Sequence, residues 1–192
     1  MEQLLDDAVR ALIDLGAVVK DSLYLDNTML LKMPELEVLL HEFKLGINAY
    51  LGNLEDHPEH PSPPKSLKEL ITFNEAHQEQ VMPFFAQELF EKAERRGDLS
   101  SETYLESLKE CRRLSRQQGI DAFMQKHGLD AFIAPTSGPA WLTDSVNGDP
   151  VSIETSFTPS AVAGYPGISV PIGFISGPVS YTHLTLPTTL TV

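Results

Sequence analysis

Apolar positions recur at helical spacing through most of the first 128 residues and shorten to strand-like runs only after Leu129. Leu4, Leu5, Ala8, Val9, Leu12 and Ile13 predict a first helix, with Gly16 as its stop. Ala17 to Val19 then read as a short buried strand. Pro34 is placed to open the next helix, whose apolar face is Leu36, Leu39, Leu40, Phe43, Ile47, Tyr50 and Leu51. Gly46 lies inside that helix at a cost of up to ~1 kcal/mol relative to Ala, so close packing is expected there. Pro58, Pro61, Pro63 and Pro64 make the segment Asn53 to Lys65 an irregular surface loop. Ser66, with Glu69 three residues on, matches a capping box and predicts a helix through Leu67, Leu70, Ile71 and Phe73. Pro83 is read as the start of another, with Phe84, Phe85, Leu89 and Phe90 apolar and Arg95, Arg96 and Gly97 at its end. From Ser101 a long helical pattern reaches about Lys126, interrupted at Gly119 and ended by Gly128.

The stretch from Leu129 to Phe174 changes character. It reads as an apolar strand, Asp130 to Ala134, covered on both faces, then a Gly/Pro/Ser-rich loop from Pro135, a small-residue segment from Ser160 to Gly164, and a second strand from Gly167 to Pro171. A helix leading straight into a buried strand is half of a crossover unit. The predicted fold is therefore α/β, a mixed sheet covered by helices and helix-rich in this portion, with no internal repeat. Strand ends in such folds are where sites are built, which makes the loop 135–149 the candidate. Trp141, the single tryptophan, is placed as a pocket wall or as a loop anchor on the core. Asp144 is placed to orient a polar substrate group, or to sit solvated or as a helix cap. Thr136 and Ser137 stand between them and the strand end.

Charge and composition narrow the function classes. A formal net charge of -13 argues against a nucleic-acid surface, which needs clustered Lys and Arg. No apolar run approaches the ~20 residues of a membrane span, and the opening MEQLLDDAVRAL has no basic segment of a signal peptide. Localisation stays open, because a signal peptide can precede Met1. One cysteine, Cys111, excludes an internal disulfide framework and a Cys-rich metal site. His57 and His60 lack an evident third ligand nearby, and Asp144, Asn147, Gly148 and Asp149 miss the alternating spacing of a calcium loop, so no metal is expected. The acidic residues from Glu88 to Glu110 read as a solvated face. Ser137 lacks a nucleophile-elbow setting, and no phosphate-loop spacing is present.

Three stretches, DAFIAPTSGPAW, SFTPSAVAGYPGISVPIGF and the preceding KECRRLSRQQGIDAFMQKHGLD, resemble the C-terminal portion of an amidase signature family enzyme. LLHEFKLGINAYL and DDAVRALIDLGAVV resemble the peptide amidase-like branch of that family, so the likeness covers residues 1–177. The resemblance implies an α/β/α hydrolase of amide bonds that uses a Lys, a bridging Ser and a nucleophilic Ser, without metal or cofactor. A Lys kept neutral by desolvation takes the nucleophile's proton through the bridging Ser, and backbone N–H groups hold the oxyanion. The chain has no Gly-Gly-Ser-Ser-type segment, and Lys32, Lys44, Lys65 and Lys68 fall in helices or loops, so no catalytic residue is carried over. What the resemblance transfers is a substrate-binding wall, Thr136, Ser137, Trp141 and Asp144, and the core strand 167–171.

The expectation is thus a C-terminal part of an amidase signature domain, inactive alone, whose small amide or peptide-amide substrate is met by the longer parent. A non-catalytic binding module or an amidotransferase subunit on the same scaffold is the alternative. Residues 178–192 depart from the family pattern: after Ser180 there is no formal charge with neutral His, and Thr185, Thr188, Thr189 and Thr191 crowd the end. They read as a non-native or read-through tail, against the alternative of a terminal strand with Leu184, Leu186 and Leu190 on one face.

Overall fold

The computed structural model describes residues 2–25, 27–136, 144, 146–148, 156–174 and 183–190. It divides into two compact units, one formed by Met1–Leu31 with Cys111–Val192 and the other by Lys32–Glu110. Among the described residues no helix is long and apolar enough to cross a membrane.

The Lys32–Glu110 unit is helical. Helix α2, Thr28–Gly52, starts before this unit and supplies its longest element. The predicted start at Pro34 is corrected: the helix begins at Thr28, and Pro34 lies inside it. Leu31, fully buried, anchors that first turn, where its burial offsets the backbone hydrogen bond a helical proline forfeits. Around the buried Leu40, Leu67 and Ala93 pack Leu36, Ile47, Ile71 and Phe90. The next helices are α3, Leu67–Ala76, and the single-turn α4, Gln78–Val81. Ser66 caps α3, its Oγ accepting from Glu69 N at 3.2 Å. Glu69 Oε2 reaches back to accept from Lys65 N at 2.8 Å, one residue earlier than a reciprocal capping box requires. Asn48 Oδ1 accepts from Leu67 N at 2.7 Å and ties the start of α3 to α2.

Helix α5 spans Glu88–Glu94, so the helix expected from Pro83 begins five residues later. Phe84 and Phe85 are 83% and 75% exposed, and without apolar contacts the prolyl segment gains nothing from coiling. The close packing expected at Gly46 is also absent: nothing lies within 4 Å of where its Cβ would stand.

In the other unit, α1 covers Glu2–Asp14 and ends at Gly16, whose φ of +99° is the left-handed stop the sequence predicts. The strand expected at 17–19 does not form; Val18 is 89% exposed and no neighbour strand pairs there among the described residues. Helix α6, Glu102–Arg112, enters this unit at Cys111 and continues as a π-helical segment, Arg113–Ile120, into α7, Asp121–His127. Gly119 breaks the run at φ −112°, ψ −114°, and Gly128, at φ +59°, caps α7, both as predicted. Asn27 closes the break, its Nδ2 donating to Leu114 O at 2.7 Å and Gln118 O at 2.8 Å. These carbonyls lose regular helical partners where the ladder widens, so the side chain satisfies what the backbone does not.

Strand β1, Ala131–Ile133, is half-buried rather than covered on both faces. Helix α8 spans Thr158–Ala163 over the small-residue segment, and β2 runs Ile168–Phe174. Strand β3, His183–Leu190, lies between them in the order β1-β3-β2, antiparallel to both, with Ala131 opposite Leu190 and Ile168 opposite Thr188. Helix α1 lies against β2: a Cβ on Gly173 would fall 2.7 Å from Leu4 Cδ2, so only glycine admits Leu4 at that distance. The fold is α/β and helix-rich.

Candidate functional site

The end of β1 is held by the residue just ahead of α8. Ser156 Oγ donates to Pro135 O at 2.6 Å and Ser156 N to Thr136 O at 3.3 Å. A loop that leaves the strand at Pro135 is thereby returned beside its own starting point. Thr136 sits half-buried at this junction. Further along the loop the Asp144 carboxylate closes a turn, accepting from Val146 N and Asn147 N at 2.9 Å through Oδ1 and from Asn147 Nδ2 at 2.9 Å through Oδ2. Those donors, Asn147 first, hold its carboxyl below the usual carboxylate range. Ser137 and Trp141 lie outside the described residues, so of the four predicted wall residues the structure places Thr136 and Asp144, each engaged within the loop.

Beneath α8 is a polar network that the sequence does not signal. Arg116 Nε donates to Ala163 O at 2.6 Å, at the C-terminal end of α8, and its guanidinium stands 5.3 Å from the Tyr165 ring centre. Tyr165 OH donates to Asp121 Oδ1 at 2.6 Å, and that bond raises the phenol's pKa by favouring its protonated form. Tyr165 is therefore a donor at neutral pH, and the network fastens the α8–β2 connection to the π segment and α7. Residues separated by 44 positions carry no local spacing signal.

In the Lys32–Glu110 unit a Ser, a His and a Glu come together. Ser101 Oγ lies 3.1 Å from His41 Nε2, and His41 Nδ1 lies 2.8 Å from Glu37 O and 3.5 Å from Glu37 Oε1. The distances are those of a nucleophile, base and orienting acid, but the commitments differ. The carboxylate of Glu37 is taken by Arg96, whose Nη2 donates to Oε2 at 3.0 Å and whose Nε stands 2.6 Å from Oε1, off hydrogen-bond alignment. His41 is 2% exposed, and Ser101 O accepts from Leu105 N at 3.1 Å as α6 begins. His41 Nδ1 faces the Glu37 carbonyl and Nε2 faces the Ser101 hydroxyl, so the buried ring ties the residue ahead of α6 to α2.

Lys44 and Lys65 have structural work as well. Lys44 Nζ donates to Glu94 O at 2.6 Å and Arg96 O at 2.9 Å, capping the end of α5. Lys65 Nζ donates to Leu54 O and stands 3.1 Å from Asp56 Oδ1 within the proline-rich loop. His57 and His60 face each other in that loop with ring centres 4.9 Å apart. Beside the helix break, Asn27, Gly119, Ala122, Phe123 and Lys126 line a shallow cavity of about 190 Å³.

No family model matches the chain. Individual relatives do. A probable amidase of Arabidopsis thaliana is 34% identical over 186 residues, which is 93% of this chain and 31% of that protein. The crystal structure of a peptide amidase in complex with the competitive inhibitor chymostatin superposes on all of this chain with a TM-score of 0.84 at 37% identity. The chain is similar over its length to amidases of the amidase signature type. The native peptide amidase of Stenotrophomonas maltophilia gives a TM-score of 0.80 at 36% identity, again over 100% of this chain and 36% of that one. One subunit of the glutamyl-tRNA(Gln) amidotransferase of Pseudomonas aeruginosa matches over 78 residues at 40% identity. The chain spans about a third of the length of the amidases it matches.

Proposed function

We propose that this chain is the C-terminal part of a peptide amidase-like enzyme that hydrolyses carboxamide or peptide-amide bonds through a Ser nucleophile, with the Lys and both serines supplied by residues outside it. The observation that carries this reading is the 37% identity with an inhibitor-bound peptide amidase across the whole chain, at a TM-score of 0.84. An amidotransferase subunit is the weaker reading, because that match covers only 38% of the chain. The chemistry needs an activated hydroxyl and oxyanion donors. Lys44, Lys65 and Ser101 are committed to structural bonds, and this portion is assigned to substrate binding.

Within that enzyme the loop from Thr136 to Asp144 is assigned to the pocket wall. Thr136, Ser137 and Trp141 are assigned to substrate binding, and the Asp144 carboxylate closes its own turn. The mixed sheet of the complete domain is completed by strands outside this chain. Residues 178–192 are assigned to a tail outside the domain that ends at 177.

The test is to sequence the source gene upstream of Met1, express the longer frame, and follow ammonia release from a simple peptide amide. Activity lost on replacing one upstream Ser establishes the reading. A complete longer product that binds the amide and never hydrolyses it supports the binding module instead.

A further inference from the structure

We propose that Asn147 is a self-modification site, an Asn-Gly side chain that deamidates through the next backbone nitrogen, and that Asp144 holds it latent. The pair supplies the reactants. A glycine carries no Cβ to screen its own nitrogen, so Gly148 N has an open approach to Asn147 Cγ. Gly148 stands at φ +82° with nothing within 4 Å of where a Cβ would lie, and Val146, Asn147 and Gly148 are all exposed. Space and solvent are both at hand.

In the reaction Gly148 N passes its proton to solvent and bonds to Asn147 Cγ. The Cγ–Nδ2 bond breaks, and Nδ2 leaves as ammonia. The cyclic imide so formed takes up a water at either carbonyl, which leaves an aspartate or an isoaspartate at position 147. Water enters and ammonia departs, with no oxidant, cofactor or second protein.

Both reacting groups are tied to Asp144. Gly148 N donates to Asp144 O at 3.0 Å, and Asn147 Nδ2 donates to Asp144 Oδ2 at 2.9 Å. Val146 N and Asn147 N donate to Oδ1, each at 2.9 Å. The nucleophile's hydrogen therefore points at the Asp144 carbonyl while the carboxamide is held on the Asp144 carboxylate, and both bonds must break before N and Cγ meet. The reaction also removes its own restraint. The product carboxylate at 147 faces the Asp144 carboxylate where an amide donor stood, and like charges at that distance repel. The opened turn then has no side-chain donor from position 147 to close it.

The test incubates the 192-residue chain at neutral pH and follows a proteolytic peptide spanning 144–149 by mass spectrometry, reading the conversion of amide mass to acid mass. Isoaspartyl methyltransferase labelling reports the isoaspartate share. Wild type in buffer is expected to convert roughly tenfold more slowly than the same chain in guanidinium chloride, the factor that one or two such hydrogen bonds supply. Asp144→Ala in buffer is expected to close most of that gap, and Asp144→Asn, which keeps a side-chain acceptor, to fall between. The turn is exposed, so helical circular dichroism of both variants should match wild type.

A wild-type chain that does not convert even in guanidinium chloride would overturn the site. Equal wild-type rates in buffer and denaturant, or variants that convert no faster than wild type, would overturn the hold by Asp144 and the inference with it. Each of these results leaves the amidase reading untouched, because the deamidation uses none of its chemistry.

Discussion

Glu35 is half-buried on α2, and loss of hydration pushes its carboxyl up from the ordinary range. A carboxyl whose folded pKa is raised favours the folded state below its unfolded pKa, and that contribution disappears as pH rises through the folded value. Asp98 and Asp144 run the other way. Ser100 Oγ and N, at 2.5 and 2.8 Å, lower the first, and the Asn147 and Val146 donors lower the second. Their contribution is present above the unfolded pKa and is lost as pH falls through the folded values. Glu35→Gln is therefore expected to raise the melting temperature at pH 7 and to have no effect near pH 3, where wild type is already protonated. Thermal melts of both proteins at the two pH values check this, and an equal gain at both would assign the effect to something other than ionisation. None of these shifts is visible in the sequence, because each depends on burial or on a donor positioned by a turn. The Ser101–His41–Glu37 chain was hidden for a related reason: the i, i+4 spacing of Glu37 and His41 is legible, but the approach of Ser101, 60 positions on, is not.

At the scale of elements, punctuation residues were the most legible signals. Gly16, Gly128 and the Ser66–Glu69 pair act where local chemistry alone decides, and the structure uses each of them. Pro34 and Pro83 misled, since proline's fixed φ suits a helix start without requiring one. The buried Leu31 extends α2 upstream of Pro34, and the exposed Phe84 and Phe85 give the segment after Pro83 no core to coil against. Gly119 joins both kinds of information. Its position as an interruption was legible; the π-helical turn before it, and the Asn27 amide that caps it from 87 positions away, were not. A Cβ at 119 would stand 2.3 Å from Leu114 O, and backbone cannot give way as a side chain can. Gly119→Ala is expected to destabilise the chain by about 2–3 kcal/mol, through strain and the displaced carbonyl pairing. Urea unfolding measures it. A loss below about 0.5 kcal/mol would show that the break relaxes without needing glycine.

The whole molecule is where sequence and structure disagree most sharply, over the last fifteen residues. Read from composition, 178–192 is a tail; in the structure its residues 183–190 form the middle strand of the sheet. Pro187 sits inside that strand opposite Ser169, where a proline cannot donate to the ladder, and central strands ordinarily exclude it. The register also slips between Pro171 and Phe174, so the pairing with β2 is interrupted as well. A strand that filled a native gap would gain from both neighbours along its length, whereas this one loses a donor at its centre. On the tail reading, a chain ending at Gly177 is expected to keep its unfolding free energy to within about 0.5 kcal/mol even though β1 and β2 lose the strand they pair with. Urea unfolding of the shortened and complete chains, with helical circular dichroism as the signal, makes the comparison. A loss of several kcal/mol would place β3 inside the domain, and the strand reading of Leu184, Leu186 and Leu190 would then replace the tail.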